Sequence, residues 1–239
     1  MNTKQIHLLK IIIIGSIIVN DHVHANSPAI RPGLEFRRIV IIFIPINRNR
    51  MDPKEFLDIL HIAERLKDTP RHCTTSRRRT ESVAEHSWRV SLMAFLLRQE
   101  FPEMDIDKVI RMCLIHDLGE AFTGDIPTFM KTAADERRED DLLSVWVSSF
   151  PTPFREEMQA LYQEMNERKT VEARIFKAMD GLEALIQHNE SDIATWSDNE
   201  FELNMHYADD KVAFSPYLQA LREEIRQDTV QKIKNTSRP

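Results

Sequence analysis

From Met51 to the C-terminal region, apolar residues return every three or four positions, as in Phe56, Leu57, Leu60, Ala63 and Leu66, and no stretch alternates convincingly with period two. A chain patterned in this way buries its apolar faces by packing helix on helix. Helices are predicted over about 83–100, 106–120, 135–149, 153–165, 170–189 and 213–234. They follow a first helix that opens after Met51, with Asp52 at a capping position and Pro53 in the first turn. Asp105 precedes the 106–120 helix and Asp107 lies in its first turn, and Phe150-Pro-Thr-Pro separates the two helices that flank it. Only five of 239 residues are glycine, which suits a helical scaffold. With no internal repeat and no linker long enough to divide residues 51–239, one all-α domain is expected there.

Charge narrows the function classes. Lysine and arginine number 32 against 38 acids, a net charge of -6. Residues 1–50 carry +5 and the remainder -11, so the body has no general basic field for nucleic acid or an anionic membrane. A phosphate ligand would require local inversion of that charge. Cys73 and Cys113 form no Cys-x-x-Cys pair, and a reducing, cytoplasmic setting is the simpler expectation.

The first fifty residues read differently. Leu8–Val19 is a short apolar run behind Lys4 and Lys10, and Val23-His-Ala25 has the small-residue look of a signal-peptidase site, so secretion is the minority alternative. A second apolar patch, Ile39–Ile46, is broken by Pro45, and neither reaches the roughly 18–20 residues that span a bilayer. Residues 1–50 are therefore read as an N-terminal extension outside the fold, translated ahead of a natural start at Met51, with a signal or anchor as the other reading.

Four polar positions stand in apolar surroundings on predicted helices: His86, the pair His116-Asp117, and Asp180. Turning such groups toward a core costs several kcal/mol unless they are paired or hold a metal. Two imidazoles and two carboxylates suit Mn²⁺, Fe²⁺, Co²⁺, Ni²⁺ or Mg²⁺ better than a thiolate site would. Four protein ligands on an octahedral ion leave two positions for a water and a phosphate oxygen, as a hydrolase needs. A buried His/Asp network without an ion is the bland alternative, and a lone His-Asp dipeptide would favour it. Glu120, three residues after Asp117 and four after His116, falls on the same face of a continuous helix. Thr123-Gly-Asp125-Ile-Pro127 is the clearest non-helical punctuation in the body.

The order His86, His116-Asp117, Asp180 resembles the H…HD…D signature of the HD-domain metal-dependent phosphohydrolases. The flanks Arg79-Thr-Glu-Ser-Val-Ala-Glu-His86 and His116-Asp-Leu-Gly-Glu-Ala-Phe-Thr-Gly-Asp-Ile-Pro-Thr128 are similar to the bacterial 5′-deoxynucleotidase branch and its eukaryotic relatives. The likeness runs from about Leu57 to Asp192. It implies an all-α HD-domain bundle with one divalent ion (Mn, Co, Fe or Mg) between helices, held by His86, His116, Asp117 and Asp180. It further implies that Glu120 directs the attacking water, that Asp125 lies at the sugar end of the pocket, and that Arg71 binds the phosphate. Lys131 also has a family counterpart and is counted with the substrate-binding residues. The expected activity is removal of the 5′-phosphate of a small nucleotide, a 2′-deoxynucleoside 5′-monophosphate first, by a homodimer.

One departure is plain: the nucleotidase pattern has Arg-Trp where this chain has Arg71-His72. Arg77, Arg78 and Arg79 read as either phosphate ligands or a solvated turn. His188 and Trp196 are pocket-rim candidates, with an ordinary surface histidine as the alternative, and Trp88 and Trp146 are read as core. Cyclic-dinucleotide hydrolysis lacks its Gly-Tyr-Pro motif, and guanosine tetraphosphate hydrolysis lacks the Glu-Asp pair after His-Asp. A di-iron oxygenase would need further histidine ligands. A non-catalytic nucleotide- or metal-sensing module is the rival from another class.

Overall fold

A computed structural model describes residues 50–236, so most of the N-terminal extension read from sequence lies outside the described residues. Helix α1 (Pro53–Ala63) starts on a capping box in which the Asp52 carboxylate accepts from the Lys54 amide and Glu55 reaches back to the Asp52 amide. A 3₁₀ turn (Glu64–Lys67) then buries Leu66 against Val83 and Ala121.

The all-α class holds, with one small addition to the expected helices. Strands β1 (Pro70–Thr74) and β2 (Thr80–Ser82) form a small antiparallel hairpin, Pro70 opposite Ser82 and Thr74 opposite Thr80, with a register irregularity between. Two strands of this length leave too few residues for a period-two signal to show. Arg78, at φ 61°, turns the chain in the left-handed region, pairs with Asp192, and is followed by Arg79 on Glu85 at 2.6 Å. The arginine run is thus a turn held by surface ion pairs.

Helix α2 (Val83–Leu96) begins where β2 ends, on a capping box between Ser82 and Glu85. Helix α3 (Ile106–Ile115) starts on Asp105, whose carboxylate accepts from the Lys108 amide. It stops earlier than the expected 106–120 helix. Residues 116–119 form turns with three-residue hydrogen bonds, such as Leu118 N to Ile115 O, before the single turn α4 (Glu120–Thr123). Gly124, at φ 77°, ends α4 in a conformation that a side chain would strain.

Helices α5 (Ala133–Val147), α6 (Thr152–Glu167) and α7 (Val171–Glu190) follow the predicted segments closely. Between α7 and α10 (Pro216–Thr236) lie α8 (Asp198–His206) and α9 (Asp209–Val212), which the periodicity does not reveal. Helix α7 is the central element, with Ala173, Ile175, Ala178, Met179, Leu182 and Leu185 buried against Val90 and Ala94 of α2, Val109, Met112 and Cys113 of α3, and Leu218 of α10. Each fully buried large side chain stabilises the fold by about 1.5–3 kcal/mol, so α7 fixes the geometry of whatever it carries. Trp88 is not core: it is 63% exposed on α2. Trp146 is half-buried, edge-on to Phe122 and Phe150. Among the described residues no helix is long and apolar enough to cross a membrane.

Candidate metal centre and phosphate site

Three elements meet at His86 on α2, His116 and Asp117 at the end of α3, and Asp180 on α7. The His86 and His116 Nε2 atoms lie 3.3 Å apart, and Asp117 Oδ2 stands 3.0 Å from His116 Nε2 and 3.6 Å from His86 Nε2. Asp180 Oδ1 completes the group at 3.3 Å from His86 Nε2 and 3.8 Å from His116 Nε2. On an octahedral ion with bonds of about 2.1 Å, adjacent donors sit roughly 3 Å apart and opposite ones about 4.2 Å. The nitrogen and oxygen donors match that spacing and chemistry. Among the described residues, His86, His116 and Asp117 bring their donor atoms all within 4.8 Å of one another, and Asp180 joins them through its contacts with the two imidazoles.

Each imidazole is set by what its other nitrogen does. His116 Nδ1 donates to the Cys113 carbonyl at 2.7 Å, and His86 Nδ1 faces a carboxylate oxygen of Glu183, so both Nε2 atoms point inward. The Tyr162 hydroxyl donates to the Ile115 carbonyl at 2.7 Å, satisfying the end of α3 directly before His116. Phe176 packs edge-on to the His116 ring.

The charges concentrate at this cage. Burial raises the Asp117 carboxyl, yet His116 and His86 outweigh it and bring the pKa down to about 2. Asp180 is likewise buried, but Lys177, 2.7 Å from Oδ2, and the two imidazoles hold it well below the usual carboxylate range. Burial and Arg71 push His86 down, and its hydrogen bonds to Asp180 and Glu183 overcome them, raising it to about 9. The carboxylates thus draw a positive charge to this point, and a divalent ion fits the same demand.

Glu120 lies beside the cage, 7% exposed, and its Oε2 has no hydrogen-bond partner among the described residues. Burial first, then the charges of Asp117, Asp125 and Glu139, lift its carboxyl to about 10. Asp125, in the loop after Gly124, is raised by burial and Asp117 although Arg71 pulls the other way. Lys131 reaches Glu139 Oε2 at 2.7 Å, and Glu139, Glu120 and Asp117 outweigh the burial that lowers its amine. Arg71, on β1 with a side chain 14% exposed, donates from Nη1 to Glu81 Oε2 at 2.9 Å and Glu183 Oε2 at 3.1 Å. All eight residues expected from sequence are therefore placed around one centre, by contact or by charge.

Several partners were not expected. Glu183 bonds both His86 and Arg71, and its only signal is a position three residues after Asp180 on the same helix. Glu139 folds over Gly119, where a Cβ would lie 2.7 Å from the Glu139 Cγ. Glu81 is pushed up to about 7 by burial and by Glu183, with Arg71 pulling the other way. His72 takes the place of the expected tryptophan, with Nε2 3.0 Å from the buried Glu200 Oε1 and its ring edge-on to Phe129. His188 is not an ordinary surface histidine: it is mostly buried, 3.2 Å from the same Glu200 oxygen and close to the Trp196 ring.

Comparison with known proteins settles the family. The model of the HD domain matches residues 63–222, two thirds of the chain. The chain belongs to the HD-domain family. It is similar to the human protein named 5′-deoxynucleotidase HDDC2, at 28% identity over 57% of this chain and 68% of that one. The mouse counterpart is 30% identical over 56% of this chain and 68% of its own length. Among solved structures, a protein from Magnetospirillum magnetotacticum described as a predicted metal-dependent phosphohydrolase aligns with a TM-score of 0.63 and 28% identity. It covers 77% of this chain and 97% of that one. A Pyrococcus furiosus protein described as a conserved hypothetical protein aligns at 0.57 and 30% identity over 72% and 99% of the two chains. Family and neighbours place this HD-domain chain among the phosphohydrolases, and so among hydrolases.

Proposed function

We propose that this HD-domain hydrolase removes the 5′-phosphate of a small nucleotide, with 2′-deoxynucleoside 5′-monophosphates as its substrates. The observation that carries the reading is the convergence of His86, His116, Asp117 and Asp180 beside a buried Glu120 whose Oε2 has no hydrogen-bond partner among the described residues. One divalent ion, Mn²⁺, Co²⁺, Fe²⁺ or Mg²⁺, held by those four residues would neutralise phosphate charge and acidify a water. Arg71, kept charged and oriented by Glu81 and Glu183, grips phosphate oxygens. Glu120 orients the attacking water, takes a proton from it, and returns one to the leaving 5′ oxygen as the phosphorus–oxygen bond breaks. The products are a nucleoside and inorganic phosphate. Asp125, on the loop that Gly124 starts, would meet the sugar, and Lys131 is counted with the substrate-binding residues.

The names of the human and mouse relatives support the substrate class. A homodimer working in the cytoplasm belongs to the same reading, and light scattering on the full chain tests the dimer. The deciding experiment is a panel of mono-, di-, tri- and cyclic nucleotides with Mn²⁺, Co²⁺ or Mg²⁺, read by phosphate release. Deoxynucleoside monophosphates should turn over fastest, and Asp117→Asn should abolish both metal content and turnover. Nucleotide binding without turnover anywhere in the panel would replace the enzyme with a sensor.

A further inference from the structure

We propose that Glu183 is a positioning residue that serves the ion site and the phosphate site through one carboxylate. The proposal rests on reading His86 as an ion ligand and Arg71 as the phosphate arginine. Glu183 is wholly buried on α7, one turn beyond Asp180. Its Oε2 meets His86 Nδ1 and also accepts from Arg71 Nη1 at 3.1 Å, while its Oε1 lies 3.2 Å from Arg89 Nε.

Burying a carboxylate costs several kcal/mol, and the two arginines and the imidazole N–H are what offset it. Arg89 alone would make a structural ion pair. The other two partners are different, because each has a second end in the site. The Nδ1 proton directed at Oε2 leaves Nε2 as the nitrogen offered on the side of His116, Asp117 and Asp180, where an ion would take the place of its proton. The bond from Arg71 to the same oxygen, reinforced by Glu81, holds the guanidinium beside that cage. One oxygen therefore aligns an ion-facing nitrogen and a phosphate-facing cation. A glutamine keeps the shape but lacks the negative charge that orients the His86 Nδ1–H and anchors Arg71.

The test uses the full chain, with Mn²⁺ affinity read from the free-ion electron paramagnetic resonance signal and inorganic phosphate as the second probe. Glu183→Gln should weaken Mn²⁺ binding 10–100-fold, the range seen when outer partners of ligating histidines are removed. It should also weaken phosphate binding at saturating Mn²⁺. In a His86→Ala background, Glu183→Gln should add almost nothing to the loss of Mn²⁺ affinity, and in an Arg71→Ala background almost nothing to the loss of phosphate affinity. A full additive loss in both backgrounds, or Mn²⁺ affinity within twofold of the parent, would overturn the proposal while leaving the site reading intact. Unchanged Mn²⁺ affinity in His86→Ala itself would overturn the site reading, and this proposal with it. If Glu183→Gln does not fold, histidine ¹⁵N spectra of the Zn²⁺-loaded parent decide: a proton on His86 Nδ1 supports the assignment, and one on Nε2 refutes it.

Discussion

Glu120 owes its chemistry to its position: a carboxyl that would be ionised on the surface is held up to about 10 by burial and by Asp117, Asp125 and Glu139. A divalent ion beside it would reverse much of that effect and return Glu120 to proton transfer at neutral pH. Glu120→Gln keeps the shape and removes the titratable group, so phosphate release should fall about 10²–10⁴-fold while Mn²⁺ still binds. Single-turnover assays alongside a Mn²⁺ titration check both halves, and loss of Mn²⁺ binding would instead make Glu120 a ligand. Gly119 makes room for Glu139, so Gly119→Ala must push the Glu139 chain away from Lys131. A destabilisation of about 1–3 kcal/mol is expected, measured by urea unfolding. At this scale His86, His116-Asp117 and Asp180 were legible because imidazole and carboxylate interrupt apolar helix faces. Glu183, Glu139 and Glu200 were not, since a lone glutamate in an amphipathic pattern reads as a solvent residue. Trp88 erred in the opposite direction: helical spacing put it inside, and the fold leaves that face of α2 uncovered.

Helix α2 carries the first ligand, and its start is set by the exchange between Ser82 and Glu85. Ser82→Ala should cost about 1 kcal/mol of stability, read from the urea midpoint. The Arg79 hydrogen bond, with donation from Ser82, lowers the Glu85 carboxyl to about 2 against the opposing effect of burial. A folded value below the unfolded one means the contribution is complete above the ordinary glutamate range and fades as pH falls toward about 2. The stability gap between the parent and Glu85→Gln should therefore be widest near neutrality and shrink in acid. A gap that is flat between pH 7 and about 3 would show that the cap works without its charge. Helix starts of this kind are written locally, which is why Asp52, Asp105 and the later segments could be placed from sequence. The break at Ile115 could not, because Leu118 and Ala121 continue the apolar spacing through the turn. The hairpin and α8 were hidden for a related reason: the contacts that define them, Pro70 with Ser82 and Glu200 with His72 and His188, are tertiary.

Across the whole molecule, the candidate ligands tie α2, the end of α3 and α7 together, the same elements that build the core. A group that binds only when these three are assembled stabilises the folded state by mass action. At a free ion concentration of 100 times Kd the gain is about 2.7 kcal/mol. For a chain of this size each kcal/mol moves the melting midpoint by about 2–4 °C, so saturating Mn²⁺ should raise Tm by about 5–10 °C and a chelator should reverse the shift. Asp117→Asn removes a donor from the cage and should abolish the shift. The same logic resolves the charge of the body. Its -11 is drawn partly into a buried centre where Asp117, Asp180, Glu120, Asp125 and Glu139 face Arg71, Lys131 and Lys177. A Tm that ignores Mn²⁺ in the parent chain would mean those acids are balanced by protons and side chains alone, and the metal assignment would fall.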